Sequence, residues 1–223
     1  MTSARPAAIG DLFAGAGPDE ASKRLAEGAI VLPGFARPEA AALVRAVSGI
    51  AEIAPLRHMI TPGAYRMSVA MTSCGAAGWV TDRSGYRYSP ADPETGRPWP
   101  AMPAIFRSMA ARAAAAGGFD GFLPDACLIN RYQPGAKLSL HRDEDERDMT
   151  APVVSVSLGL PATFLWGGLN RKDRPIRVRL ENGDVVVWGG PARLVYHGIA
   201  PLAEGEHPLT GRIRINLTFR RAL

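Results

Sequence analysis

Seven short apolar runs, each broken off by turn residues, fill the stretch from Cys127 to Arg220 and constrain the fold more than any other feature of the chain. They are Cys127–Tyr132, Val153–Leu160, Thr163–Trp166, Arg174–Leu180, Asp184–Trp188, Arg193–Tyr196 and Arg212–Arg220. Gly135, Gly159, Gly167-Gly168, Asn182-Gly183 and Gly189-Gly190 punctuate them. Runs this short, rich in β-branched residues and separated by glycine, read as strands, and their spacing predicts a sandwich or a barrel. In the closing run every even position is polar and every odd one apolar. Alternate residues of a strand share a face, so Arg214 and Arg220 look the same way, about 20 Å apart.

The upstream half has a different grain. Pro18–Glu27 and Pro38–Ile53 read as helices with proline near the start, and Pro103–Ala116 as a third that ends at Gly117-Gly118. Ala40, Leu43, Val44, Val47 and Ile50 give the second an apolar stripe. Between Thr61 and Pro100 no helical period survives, and Gly, Ser, Thr, Tyr, Trp and Arg predict short hairpins and loops. The first ten residues read as a loose terminus. The expectation is an α+β chain with a mainly β core backed by helices, residues 101–223 forming that core and residues 1–100 the helices and loops before it.

Composition narrows the function classes. Of 223 residues 47% are apolar, enough for a sizeable core, and the net charge of +5 favours a polyanionic partner such as nucleic acid. Arginine and alanine are abundant, a bias that GC-rich coding DNA would also produce. Cys74 and Cys127 lack metal-ligand spacing and are too few for a disulfide framework, so free or buried thiols in a reducing cytoplasm are expected. No apolar run reaches the length of a membrane span and no basic leader precedes an apolar stretch, so a soluble cytoplasmic protein without membrane contact is expected.

Two motifs carry chemistry. His141-Arg142-Asp143 places an imidazole and a carboxylate on alternate residues, able to bite one metal ion together; read blandly, it is a charged turn that continues into Asp145 and Glu146. Tyr196-His197-Gly198 ends a strand-like run and sets a second imidazole at the rim of the β-core. Two imidazoles and one carboxylate form the facial set that leaves open positions on non-haem Fe(II), and zinc could use the same donors. The arginine strand separates the two. Arg214 and Arg220, leaning inward, leave a gap the length of a short dicarboxylate, with Asn130 and Tyr132 on one face of an earlier strand as neutral partners. A zinc hydrolase has no need of such a clamp.

Several blocks in this order resemble the AlkB family of alkylated-base dioxygenases. They are Asn130-Arg131-Tyr132-Gln133-Pro134-Gly135-Ala136-Lys137-Leu138-Ser139-Leu140-His141, Val154-Ser155-Val156-Ser157-Leu158-Gly159-Leu160-Pro161, Gly183-Asp184-Val185-Val186-Val187-Trp188-Gly189-Gly190, Tyr196-His197-Gly198-Ile199 and Arg214-Ile215-Asn216-Leu217-Thr218-Phe219-Arg220. The likeness is dense from Leu128 onward, recognisable from Met71 to Ser89 and thin before that.

The resemblance implies a double-stranded β-helix, or jelly roll, under an N-terminal nucleotide-recognition lid. It implies His141, Asp143 and His197 as iron ligands and catalytic centre, and Asn130, Arg131, Tyr132, Arg214, Asn216 and Arg220 around 2-oxoglutarate. Trp79, Tyr86, Arg87 and Tyr88 would belong to the lid, Asp145 would meet the exocyclic amine of the damaged base, and Arg171 would contact substrate. Trp79 sits in a polar, glycine-rich stretch where an indole needs a reason, although a core anchor for a small hairpin would also supply one. Asp82 departs from the pattern, in which bacterial members carry histidine. The implied reaction consumes Fe(II)-bound 2-oxoglutarate and O2, and strips methyl groups from bases such as 1-methyladenine and 3-methylcytosine as formaldehyde. Single-stranded or duplex alkylated DNA is the expected partner, RNA a further one, and a monomer the expected state. Rival readings are the same chemistry on RNA or protein, a non-catalytic binder of alkylated bases, and a zinc hydrolase.

Overall fold

The computed structural model describes residues 22–223. In chain order it comprises β1 (Lys23–Ala26), β2 (Ala29–Leu32), α1 (Ala40–Ile53), β3 (Ala70–Gly75), β4 (Gly78–Asp82), β5 (Gly85–Ser89), α2 (Ala104–Ala116), β6 (Ala126–Tyr132) and β7 (Leu138–His141). There follow β8 (Val153–Gly159), β9 (Ala162–Trp166), β10 (Ile176–Leu180), β11 (Val185–Trp188), β12 (His197–Ile199) and β13 (Arg214–Arg220). A larger sheet runs β1-β2-β11-β8-β13-β6-β3 and a smaller one β10-β9-β12-β7, with every neighbouring pair antiparallel. The hairpin β4–β5 stands apart from both. Two such sheets face to face make a jelly roll. No helix among the described residues is long and apolar enough to cross a membrane.

Strand alternation divides the core. The odd residues of β13, Ile215, Leu217 and Phe219, pack against α1 and α2 through Leu43, Val47, Phe106 and Met109. The opposite face of the large sheet meets the small sheet, where Tyr132, Val186 and Trp188 pack with Phe164, Trp166 and Ile199. The even residues of β13 point into that second space, and Arg214, Asn216, Thr218 and Arg220 are all buried there. Because β13 lies between β8 and β6, its polar face is no solvated edge.

Four expectations change. Lys23–Ala26 is not helical; it turns back through Gly28 (φ 75°) and pairs with β2, while residues 18–21 and the expected loose terminus lie outside the described residues. The run Arg193–Tyr196 is a turn, and the strand begins at His197. β2 and β7, unmarked in the sequence reading, supply sheet neighbours. A division at residue 100 does not follow a break in the sheet, since β1, β2 and β3 are strands of the large one. The helices at 40–53 and 104–116 fall where their apolar periodicity placed them.

Candidate metal centre and cosubstrate cleft

Register places the two histidines. β7 and β12 pair so that His141 and His197 lie directly opposite, their rings 4.5 Å apart between centroids. Gly198 permits this approach, because a Cβ there would stand 2.6 Å from the Leu138 carbonyl oxygen. Asp143 lies two residues past His141, beyond the end of β7, and still turns to the same side. His141 Nε2 is 3.8 Å from its Oδ1 and His197 Nε2 is 3.9 Å from its Oδ2. One donor atom from each of the three residues lies within 4.8 Å of the others.

Each ring is oriented by its other nitrogen. Nδ1 of His141 lies 2.9 Å from the Ser139 carbonyl and Nδ1 of His197 3.0 Å from that of Val195. Carbonyls only accept, so the proton sits on Nδ1 and the Nε2 lone pair is free for a metal. Burial, with His141 alongside, pushes the His197 imidazole down to about 4, which keeps it neutral at neutral pH. Burial alone would raise the Asp143 carboxyl, but Arg220 and the two imidazoles outweigh it and hold it well below the usual carboxylate range. Two imidazoles that each present a free Nε2, with one ionised carboxylate, fit a divalent iron.

The cleft beside this centre is lined by Asn130, Tyr132, Arg214, Asn216 and Arg220. Arg214 is fully buried, with the Tyr132 ring 5.0 Å away and Ser157 Oγ accepting from Nη2 at 3.0 Å. Its Nε and Nη1, and Oδ1 of Asn130, have no protein partner. A buried guanidinium with two free N–H vectors is costly unless an anion completes it. A carboxylate bound in the cleft would complete it. Asn216 is by contrast fully engaged, donating to Ser155 Oγ and Val156 O and accepting from Asn130 and Thr218.

Arg220 differs from the free second jaw expected of it. Its Nε and Nη2 both donate to Asp143 Oδ2, at 2.9 and 2.8 Å, so it serves the metal end of the cleft. Arg131 is a clearer correction. It stands opposite Ile215, on the helix-facing side of β6, while Asn130 and Tyr132 stand opposite Asn216 and Arg214 on the cleft side.

The hairpin stands beside this centre as an aromatic wall, bonded to the segment that follows Asp143. Trp79 and Thr81 lie across from Tyr88 and Tyr86, so these four share a face. Trp79 and Tyr86 stack, centroids 5.6 Å apart at 18°, and Trp79 Nε1 donates to Asp145 Oδ2 at 2.7 Å. Two residues 66 positions apart in sequence, both singled out for substrate, thus meet. Arg87 points to the other face and pairs with Asp82 at 2.7 Å, away from the stacked aromatics. The Tyr88 hydroxyl turns inward and donates to Glu146 Oε1 at 2.8 Å, and burial, against the opposing pull of Arg220, raises it well above the usual phenol range. Arg171 is exposed in the β9–β10 connection, with Lys172 and Arg174 beside it. Sequence reasoning treated Glu146 as part of a charged turn and passed over Arg193. Both are buried and paired at 3.0 Å, and only a long-range contact reveals them.

Fold and donor set together define a non-haem iron oxygenase that uses 2-oxoglutarate and O2. Comparisons agree. The pattern of the 2OG-Fe(II) oxygenase superfamily matches residues 28–220. The chain is 59% identical to the alpha-ketoglutarate-dependent dioxygenase AlkB of Escherichia coli (strain K12), over 95% of this chain and 97% of that protein. It is 36% identical to a tRNA demethylase of Schizosaccharomyces pombe over 44% of this chain and 36% of that one. A solved structure of OsALKBH1 superposes with a TM-score of 0.77 at 30% identity, covering 90% of this chain and all (100%) of that one. The chain belongs to the AlkB family of alpha-ketoglutarate-dependent dioxygenases.

Proposed function

We propose that this dioxygenase oxidatively demethylates alkylated bases in DNA, the 1-methyladenine and 3-methylcytosine type, with release of formaldehyde and conversion of 2-oxoglutarate to succinate. The observation that carries the reading is the stacked Trp79–Tyr86 wall joined to Asp145, next to the metal-ligand segment. A damaged base reaches such a wall only when extruded or single-stranded, and a π-face at the rim gives it a stacking partner. Bases methylated at those positions carry positive charge, which the exposed Asp145 carboxylate complements.

His141, Asp143 and His197 would hold Fe(II), and Arg214, with Asn130 and Tyr132, the far carboxylate of 2-oxoglutarate. Bound iron, with 2-oxoglutarate and O2, would supply the oxidation of a methyl C–H bond. The chain's own groups do the rest. The Nδ1–carbonyl bonds fix the imidazoles, Arg220 fixes the Asp143 carboxylate, and Phe164, Trp188 and Ile199 keep water out of the cleft. The hairpin β4–β5 acts as a nucleotide-recognition lid over the β-core. Arg171 and its basic neighbours hold flanking phosphates. The enzyme works as a monomer in the cytoplasm, where the free, buried Cys74 and Cys127 stay reduced.

Similarity to a tRNA demethylase favours RNA as a second substrate. The test is anaerobically purified protein given Fe(II), 2-oxoglutarate and O2 with methylated DNA or RNA oligonucleotides, followed by succinate, formaldehyde and base mass. Stoichiometric formaldehyde and an unmodified base are expected. Succinate production indifferent to every methylated oligonucleotide would overturn the reading.

A further inference from the structure

Four charged side chains form a closed set behind the metal centre. Glu146 Oε2 accepts from Arg193 Nη2 at 3.0 Å, and Oε1 lies 3.1 Å from Arg220 Nε. Arg220 in turn grips Asp143 Oδ2, and Arg193 Nη1 donates to the Asp143 main-chain carbonyl at 2.7 Å. Two carboxylates and two guanidiniums cancel, and none of the four side chains is more than 7% exposed. Buried ion pairs contribute little net stability compared with apolar packing, so geometry is their better explanation. The geometry fixed here is that of the Asp143 carboxylate, held at its side chain by one arginine and at its backbone by the other.

The hairpin enters this set from outside. Trp79 and Tyr88 lie directly opposite each other across β4 and β5. Both hydrogen-bond across to the segment that follows Asp143: Trp79 to Asp145, and Tyr88 to Glu146. Tyr88 had been expected to touch substrate, yet its hydroxyl is spent on Glu146, which already binds Arg220. A displacement of the hairpin therefore has a path of polar contacts, Tyr88–Glu146–Arg220–Asp143, to a metal ligand.

We propose that Tyr88 and Glu146 are positioning residues that couple occupancy of the aromatic wall to the orientation of the Asp143 carboxylate. The coupling rests on the reading of the wall as the base-binding surface. A nucleotide seated on Trp79 and Tyr86 presses the hairpin onto the 143–146 segment and sets Asp143 through Arg220. Oxidation is thereby kept in step with the presence of a base.

The probe is the Co(II)-substituted protein with 2-oxoglutarate, whose visible absorption reports ligand geometry independently of turnover. In wild type, a trinucleotide centred on 1-methyladenine shifts the cobalt bands. In Tyr88→Phe, which loses only a hydroxyl, cobalt and trinucleotide still bind by equilibrium dialysis but the shift is lost. In the iron form of that variant the ratio of succinate to formaldehyde rises. A shift of wild-type size in Tyr88→Phe, or an unchanged ratio, overturns the coupling. So does a wild-type enzyme that demethylates with no cobalt shift, an outcome that leaves the proposed function standing. Wild type that neither binds nor demethylates the trinucleotide sinks the base-repair reading instead. The Glu146 link is then judged without nucleotide: Glu146→Gln, folded by circular dichroism, should alter the cobalt bands, and bands identical to wild type overturn the link.

Discussion

The floor of the cleft and its outer wall are built on opposite terms. The floor rests on β7, β12 and β13, whose pairings fix His141 against His197 and line up Arg214, Asn216, Thr218 and Arg220 on one face. Asp143, His197, Arg214 and Arg220 are all buried. The wall is a two-stranded hairpin outside both sheets, with Tyr86 50% exposed and Trp79 only partly buried against the core, stacked on Tyr86 and bonded to Asp145. Sheet interiors hold a constellation before any ligand arrives, whereas a half-exposed two-stranded hairpin can yield more easily. Oxidation needs the first property, and the base-binding role proposed for the hairpin would use the second.

Breaking the floor should have the largest effect. His141→Ala, His197→Ala and Asp143→Ala should each abolish succinate production and Mn(II) binding, but they should differ in stability. Asp143→Ala removes the carboxylate that accepts two Arg220 hydrogen bonds and leaves Glu146 to face both Arg220 and Arg193, and breaking a buried pair costs about 3–5 kcal/mol. His141, with 34% of its side chain exposed, should leave the melting temperature near wild type. Equal melting temperatures for His141→Ala and Asp143→Ala would show that the floor is not the rigid half.

Next comes Arg214→Gln. Losing a charge-assisted contact to a carboxylate costs about 1.5–3 kcal/mol, so half-saturation by 2-oxoglutarate should rise roughly 10- to 150-fold, with oligonucleotide affinity unmoved. The wall should give the mirror image. Trp79→Ala should weaken a methylated oligonucleotide by the ~1–3 kcal/mol that stacking contributes per base, roughly 5- to 150-fold, and leave 2-oxoglutarate saturation unchanged. If both parameters moved together in either variant, floor and wall would not be separate devices.

The smallest effect belongs to Arg87→Ala, on the hairpin's far face. Substrate affinity should stay closest to wild type. The Arg87 hydrogen bonds, then the Ser84 amide, hold the Asp82 carboxyl down to about 2 from an ordinary 3.8, so their contribution is fully present above that range and fades as pH falls through it. The stability gap between Arg87→Ala and wild type, followed by acid denaturation, should accordingly close between about pH 4 and pH 2. A large loss of nucleotide affinity in Arg87→Ala would return that residue to the binding surface.

Much of this was legible along the chain. The alternation of Arg212–Arg220 marked Arg214 and Arg220 for one side of a strand, and the His141-x-Asp143 spacing marked a shared ligand. Short strands without distinctive neighbours, β2 and β7, were not legible, because their runs are brief and one is embedded in loop residues. The run Arg193–Tyr196 is apolar enough for a strand, yet it follows the turn at Gly189-Gly190 and stays coiled until His197 finds β7 and β9.

The sequence by itself determined the donors, the arginine face and the family, since residue types, period and motif order are local properties that survive without a fold. Tertiary structure alone decided what each charge does. It turned Arg131 and Arg87 away from the cleft by strand alternation, and it gave Arg220 to Asp143 rather than leaving it free. It also joined Glu146 and Arg193 to Asp143 and Arg220 in one buried neutral set and bonded Tyr88 to it from the hairpin, residues scattered over more than 100 positions. The physical reason is that a charge takes its meaning from its partners and its depth, and both are fixed only when distant strands pack.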